Sequence, residues 1–236
     1  MLDKGLNLSL GKIVRAIQRM LIPRQEPIDL IEHLRALAIL DSADYAQTNL
    51  TEAVSFKDKS LFYKYCVERS EVIDWGVILE FGVWSGTTIN YLAKLTPNSR
   101  LFGFDSFEGL EEDWVGTGLK KGTFDRGGKM PNVAKNVTLI KGWFEDTLPK
   151  FMDALGMEYI SIVNFDADTY KPAVFVLKNI KPNLKVGTIV IFDEYFGYPN
   201  WRAHEFRAWK EFVYENHISY KYIAFTQMAV AVLIVS

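Results

Sequence analysis

The chain of 236 residues is 49% hydrophobic and 24% charged, with 27 Lys and Arg against 29 Asp and Glu. That length suits one large domain or a domain with an appendage, and a formal net charge of −2 excludes the basic excess of a dedicated nucleic-acid binder. The lone cysteine, Cys66, excludes an internal disulfide, no Cys/His spacing suggests zinc, and no apolar run approaches the ~20 residues of a membrane span.

Residues 1–75 read as a helical segment, a candidate cap or homodimer contact, and residues 76–236 as the main domain. Charges stand at the amino terminus where a signal peptide would be apolar, which points to a cytoplasmic protein. Leu10, Ile13, Val14, Ile17 and Leu21 recur at helical spacing, with Lys12, Arg15 and Arg19 interleaved, until Pro23 and Pro27 end the pattern. Further helices are expected over 28–39, with Leu30, Ile31 and Leu34 on its apolar face, and over 59–70, with Leu61, Phe62 and Tyr65. From residue 76 short apolar runs alternate with helical stretches. The runs are Val77–Phe81, Leu101–Phe104, Val137–Ile140, Tyr159–Phe165, Thr188–Phe192, Tyr220–Phe225 and Met228–Val235. Helices are expected near 86–95, 146–155, 169–181 and 200–214. Most of the runs are almost wholly apolar, as strands covered on both faces are. Their alternation with helices predicts βαβ units and a mostly parallel sheet, while the last two runs are close enough to form a hairpin and leave one antiparallel strand. The Gly- and charge-rich stretch 105–135 is too long for a spacer and is a candidate lid.

Four motifs lie where such a sheet binds ligands, outside the carboxyl ends of its strands. The first is Glu80-Phe81-Gly82-Val83-Trp84-Ser85-Gly86-Thr87-Thr88, a glycine turn leading into a helix amino terminus. Its glycines are four apart, unlike the Gly-x-Gly-x-x-Gly of nicotinamide enzymes. The second is Phe104-Asp105-Ser106-Phe107-Glu108-Gly109-Leu110, which puts Asp105 23 residues after Gly82, a suitable place to meet ribose hydroxyls. The third, Lys141 to Pro149, contains Gly142-Trp143-Phe144, whose aromatic rings could cover a purine, and Asp146 as a candidate helix cap. The fourth joins Asn164-Phe165-Asp166-Ala167-Asp168 to Asp193-Glu194. Converging carboxylates with no clustered Cys or His suit a hard cation, Mg²⁺ first, with Ca²⁺ or Mn²⁺ as alternatives. His204, just beyond, is a candidate base or acceptor contact. Ser85 and Ser106 have no adjacent base, so a serine hydrolase is not supported.

Together, in order and spacing, these motifs resemble the class I S-adenosylmethionine-dependent methyltransferases, and more narrowly the macrocin/mycinamicin sugar O-methyltransferases, from about Ile78 to the carboxyl terminus. The resemblance implies a Rossmann-like α/β fold, with a seven-stranded, mostly parallel sheet containing one antiparallel strand, plus the amino-terminal helices. It implies S-adenosylmethionine along Glu80, Phe81, Gly82, Val83, Ser85, Gly86, Thr87 and Thr88, with Asp105 and Ser106 at the ribose, Gly142, Trp143 and Phe144 near the adenine, and Asp166 bordering it. It also implies a divalent metal on Asp166, Asp193 and Glu194, with Asp168 as a second candidate. The implied reaction is methylation of a hydroxyl on a small-molecule acceptor, a glycoside first, with Asp166 as base and His204 as the alternative. The chain departs from the family at Ala167, where Gly is usual, at Glu194, where Asp is usual, and at Lys171-Pro172, where Glu-Ser is common. A cation-dependent methyltransferase of catechol-like diols and a non-catalytic cofactor-binding protein stand as the alternatives.

Overall fold

The computed structural model describes residues 29–70 and 76–236, so the expected helix over 10–21 lies outside the described residues. The chain divides into two compact units, residues 1–33 and 34–236. Of the first, the described stretch is short: the Asp29 carboxylate accepts the Ile31 N–H at 2.9 Å and so opens a helix.

The second unit is a three-layer α/β/α fold. Helix α1, Leu30–Asn49, runs on past the expected end near 39 because no Gly or Pro interrupts it. Ser42 Oγ and Thr48 Oγ1 bond back to the carbonyls of Ala38 and Asp44, which keeps these polar residues compatible with the helix. Its buried stripe is Ala38, Ser42 and Tyr45. The expected face is not the buried one: Leu34, Leu37 and Leu40 are exposed. Helix α2, Lys59–Arg69, is capped by Asp58, which accepts the N–H groups of Ser60 and Leu61, and it buries Phe62, Tyr63 and Cys66 while Leu61 faces out.

The sheet has eight strands where seven were expected. The extra one, β1 (Val54–Ser55), forms one edge of the sheet and is too short to show any periodicity in sequence. The others are β2 (Gly76–Phe81), β3 (Leu101–Asp105), β4 (Val137–Lys141), β5 (Tyr159–Phe165), β6 (Ile189–Phe192), β7 (Tyr220–Phe225) and β8 (Val230–Ile234), in the order β1-β7-β8-β6-β5-β2-β3-β4. All pairings are parallel except those of β8, which runs antiparallel to β6 and β7, as the expected hairpin requires. The helices are α3 (Thr87–Leu95), α4 (Phe144–Leu155), α5 (Tyr170–Ile180) and α6 (Glu205–Glu215), the last preceded by a 3₁₀ turn, Trp201–Ala203. One apolar cluster gathers α1, α4, α5 and α6, and a second gathers α2 and α3. On the second face Gly103 allows α3 close to the sheet, because a Cβ there would lie 2.6 Å from Ile89 Cδ1.

Register positions the site. Phe81 pairs with Phe104 on one side and with Phe165 on the other, and Phe165 pairs with Phe192. Their rings form a row across the sheet, stacked at 4.9 Å for Phe81–Phe104 and 5.1 Å for Phe165–Phe192. Each such contact contributes about 0.5–1.5 kcal/mol beyond its buried area. The residues that follow the row, Gly82, Asp105, Asp166 and Asp193, therefore emerge at one level on four adjacent strands.

Candidate active site

Above the phenylalanine row lies a cavity of about 460 Å³, walled by the carboxyl ends of β2–β6 and by Leu110, Trp114 and Phe124 of the 105–135 stretch. Gly82 forms its floor with φ +89°. A Cβ here would lie 1.9 Å from the Asp166 carbonyl oxygen, so the backbone admits only glycine. Asp105 fixes the turn that follows: Oδ2 accepts the N–H groups of Val83 (2.8 Å) and Trp84 (2.7 Å), and Oδ1 accepts that of Phe107 (2.6 Å). Val83, Ser85, Thr87, Thr88 and Ser106 line the cavity, as do Gly142, Trp143 and Phe144 on its far side.

Three residues expected at the cofactor do not line the cavity. Phe81 belongs to the aromatic row. Gly86 caps α3 in a left-handed conformation and faces Pro131. Glu80 is buried beneath the turn, where burial first, and then the charges of Asp166 and Asp193, push its carboxyl well above the usual carboxylate range.

The opposite end of the cavity is an acidic basin. Carboxylate atoms of Asp166, Asp168 and Glu194 all lie within 4.8 Å of one another, a spacing that one cation can bridge. The chemistry of this oxygen-only set and the unpartnered Oε2 of Glu194 both fit a hard divalent ion. Asp168 holds φ +63°, a conformation that Asp tolerates better than most residues, while Ala167 needs no positive φ. The departure from glycine at 167 thus strains nothing. Burial, followed by the neighbouring Asp193 charge, raises Asp166 to about 8, with the Lys59 charge opposing. Asp168 and Glu194 are also pushed up, by burial first and then by the Asp166 charge.

Asp193 is held differently. Its Oδ2 accepts from Lys59 Nζ at 2.5 Å, and its Oδ1 lies 3.0 Å from the Tyr63 hydroxyl. Lys59 and Tyr63 are four residues apart on α2 and so share a face. Glu205, fully buried, accepts the Ala167 N–H at 3.2 Å, while its Oε2 has no partner. None of Lys59, Tyr63 and Glu205 was picked out by motif, because each reaches the basin through long-range placement that its own stretch of sequence does not signal. His204 is adjacent in sequence to Glu205 but is not brought into the cavity. Its Nε2 bonds the Val115 carbonyl at 2.9 Å, and burial lowers its pKa. It ties α6 to the 105–135 stretch.

Residues 79–195 match a family model described as a methyltransferase domain. The chain is 29% identical over 162 residues to 8-demethyl-8-(2,3-dimethoxy-alpha-L-rhamnosyl)-tetracenomycin-C 4'-O-methyltransferase of Streptomyces olivaceus, a match covering 56% of this chain and 58% of the relative. It is 32% identical over 76 residues to demethyldecarbamoylnovobiocin O-methyltransferase of Streptomyces niveus, covering 31% of this chain and 28% of the relative. The match thus spans less than two thirds of either curated relative. Among solved structures, the fold is similar to that of CalS11, a calicheamicin methyltransferase, with a TM-score of 0.61, 22% identity, and 99% and 94% of the two chains covered. The methyltransferase-domain match over residues 79–195 and the sheet order with its one antiparallel strand agree with each other and with the fold that the resemblance to class I S-adenosylmethionine-dependent methyltransferases implies.

Proposed function

We propose that the protein transfers a methyl group from S-adenosylmethionine to a hydroxyl of a sugar or glycosylated small molecule, with the assistance of a divalent cation. The observation that carries this reading is the shared cavity: the turn fixed by Asp105 and the acidic basin open into one space, with Asp166 at their junction. The curated relatives are both named as O-methyltransferases, one of them for a rhamnosyl-tetracenomycin.

Ser85, Thr87 and Thr88, at the amino terminus of α3, suit the carboxylate of the cofactor's amino-acid end. Trp143 and Phe144 offer flat apolar cover for its adenine. When bound, S-adenosylmethionine supplies a methyl group already activated on its sulfonium. When bound, a divalent cation supplies positive charge that lowers the pKa of a neighbouring hydroxyl. The remaining task is alignment, which contributes roughly 7–11 kcal/mol where two bound reactants are well oriented. Gly82 rests against the Asp166 carbonyl, so the Asp166 carboxylate stands beside the cofactor turn, in position to accept the acceptor's proton as the methyl is transferred. Trp114 and Phe124 limit water access from the 105–135 side.

The test is transfer of labelled methyl from S-adenosylmethionine to a panel of glycosides and catechols, with Mg²⁺ and with EDTA. Methylated glycoside, lost in EDTA and restored by Mg²⁺, is expected. Equal turnover in EDTA would remove the cation from the reading, and turnover on catechols alone would replace the acceptor.

A further inference from the structure

Lys59 is the one lysine or arginine among the described residues that line the cavity, against Asp105, Glu111, Glu145, Asp166, Asp168, Asp193 and Glu194. It lies outside the stretch that matches the methyltransferase domain, and no motif marks it. We propose that Lys59 is a positioning residue that holds Asp193 out of cation ligation, so that the protein ligands of the divalent ion are Asp166, Asp168 and Glu194. The inference rests on the cation-assisted reading above and revises the ligand set implied by the family resemblance.

Asp193 has both oxygens engaged: Oδ2 with the Lys59 ammonium at 2.5 Å and Oδ1 near the Tyr63 hydroxyl at 3.0 Å. A carboxylate bridged between an ammonium and a hydroxyl has part of its charge and one lone pair of each oxygen already committed, and Asp193 is not among the carboxylates that converge within 4.8 Å. Asp168 carries no such partner, and its left-handed backbone places its carboxylate with those of Asp166 and Glu194, within 4.8 Å. The Oε2 of Glu194 is buried without a hydrogen-bond partner, which leaves it free to serve as a ligand atom. Lys59 also places a positive charge beside the basin, so it repels a divalent ion at the same time as it neutralises Asp193. The tie crosses 134 residues of sequence and fixes α2 to the end of β6. Metal affinity is therefore set partly by a residue of the amino-terminal segment.

The experiment titrates Mn²⁺ alone into the full chain saturated with S-adenosylhomocysteine. Calorimetry and the paramagnetic resonance signal of free Mn²⁺ are read for the parent, Lys59→Met, Asp168→Asn and Asp193→Asn. Asn is chosen at 168 because it tolerates the left-handed conformation. Asp168→Asn is expected to weaken Mn²⁺ binding about tenfold or more, as loss of a ligand does. Asp193→Asn is expected to change it by less than about threefold, and Lys59→Met to strengthen it several-fold, since a competing charge is removed. Weakening by Asp193→Asn equal to that by Asp168→Asn would overturn the proposal, as would weakening by Lys59→Met. Should the Asp168→Asn chain fail to fold, the Lys59→Met and Asp193→Asn results still decide. Equal weakening by Asp193→Asn and Asp168→Asn would overturn this inference alone; a parent that binds S-adenosylhomocysteine but no Mn²⁺ would overturn it together with the cation assistance it rests on, and a parent that binds neither would overturn the methyltransferase reading beneath both.

Discussion

Replacing Asp105 by Asn tests how the cofactor turn is built. The two carboxylate oxygens of Asp105 accept three backbone N–H groups at 2.6–2.8 Å, two of them from consecutive residues of the turn. Asn has one acceptor oxygen. Whichever way its amide lies, an NH₂ group must face at least one of those N–H groups. Kept toward Val83 and Trp84, the oxygen leaves Phe107 without an acceptor and turns two charge-assisted bonds into neutral ones. An orphaned donor costs about 1–3 kcal/mol, and charge-assisted bonds are about twice as strong as neutral ones. Trp84 is half exposed, so water recovers part of the loss. The net expectation is about 2–3 kcal/mol, which for a domain of this size corresponds to a melting temperature about 4–12 °C lower. If the same turn holds the cofactor, as proposed, S-adenosylhomocysteine affinity is expected to fall by roughly 30-fold or more, the equivalent of about 2 kcal/mol. Thermal melts by circular dichroism and calorimetric titration measure both. A melting point within 1 °C of the parent (roughly 0.3 kcal/mol), with affinity within about twofold, would refute the view that Asp105 organises the turn.

Gly82→Ala is expected to abolish S-adenosylhomocysteine binding and to destabilise the fold by more than about 2 kcal/mol, because its Cβ would meet the Asp166 carbonyl at 1.9 Å in a left-handed backbone; a titration and a urea melt check it. The basin makes metal-free stability depend on pH. Asp166 is raised from its ordinary 3.8 to about 8, so between these values the folded state holds a proton that the unfolded state has released. Stability therefore falls as pH rises through that window, by at most about 1.4 kcal/mol per unit for this proton. Melts in EDTA from pH 5 to 8 should show a declining midpoint, and a rising one would contradict the assignment. Glu205→Ala is expected to cost about 1–3 kcal/mol through the Ala167 N–H it leaves unpaired, whereas Glu205→Gln, which keeps an acceptor oxygen, should cost less; paired denaturant melts separate them.

The strands were legible because burial on both faces writes continuous apolar runs, and the glycine turn with Asp105 was legible because both sit at strand ends with fixed chemistry. What escaped depends on long-range placement. Lys59 and Tyr63 reach Asp193 across 134 and 130 residues, and nothing local to α2 announces that meeting. Asp168 is legible beside Asp166 as a second metal candidate, but the positive φ with which it joins the basin is not encoded in sequence spacing. At the start of α6, one residue decides which side chain faces the basin: the preceding 3₁₀ turn sends His204 toward Val115 and Glu205 toward Ala167. The two-residue strand β1 is set by its pairing with β7 rather than by its own composition.

Calorimetric titration of S-adenosylhomocysteine into the full chain decides whether the cavity between the Asp105-fixed turn and the acidic basin is a cofactor site. One-to-one binding in the micromolar range, lost in Gly82→Ala, is the predicted result. No heat of binding at about millimolar ligand, from protein shown to be folded by circular dichroism, would contradict it.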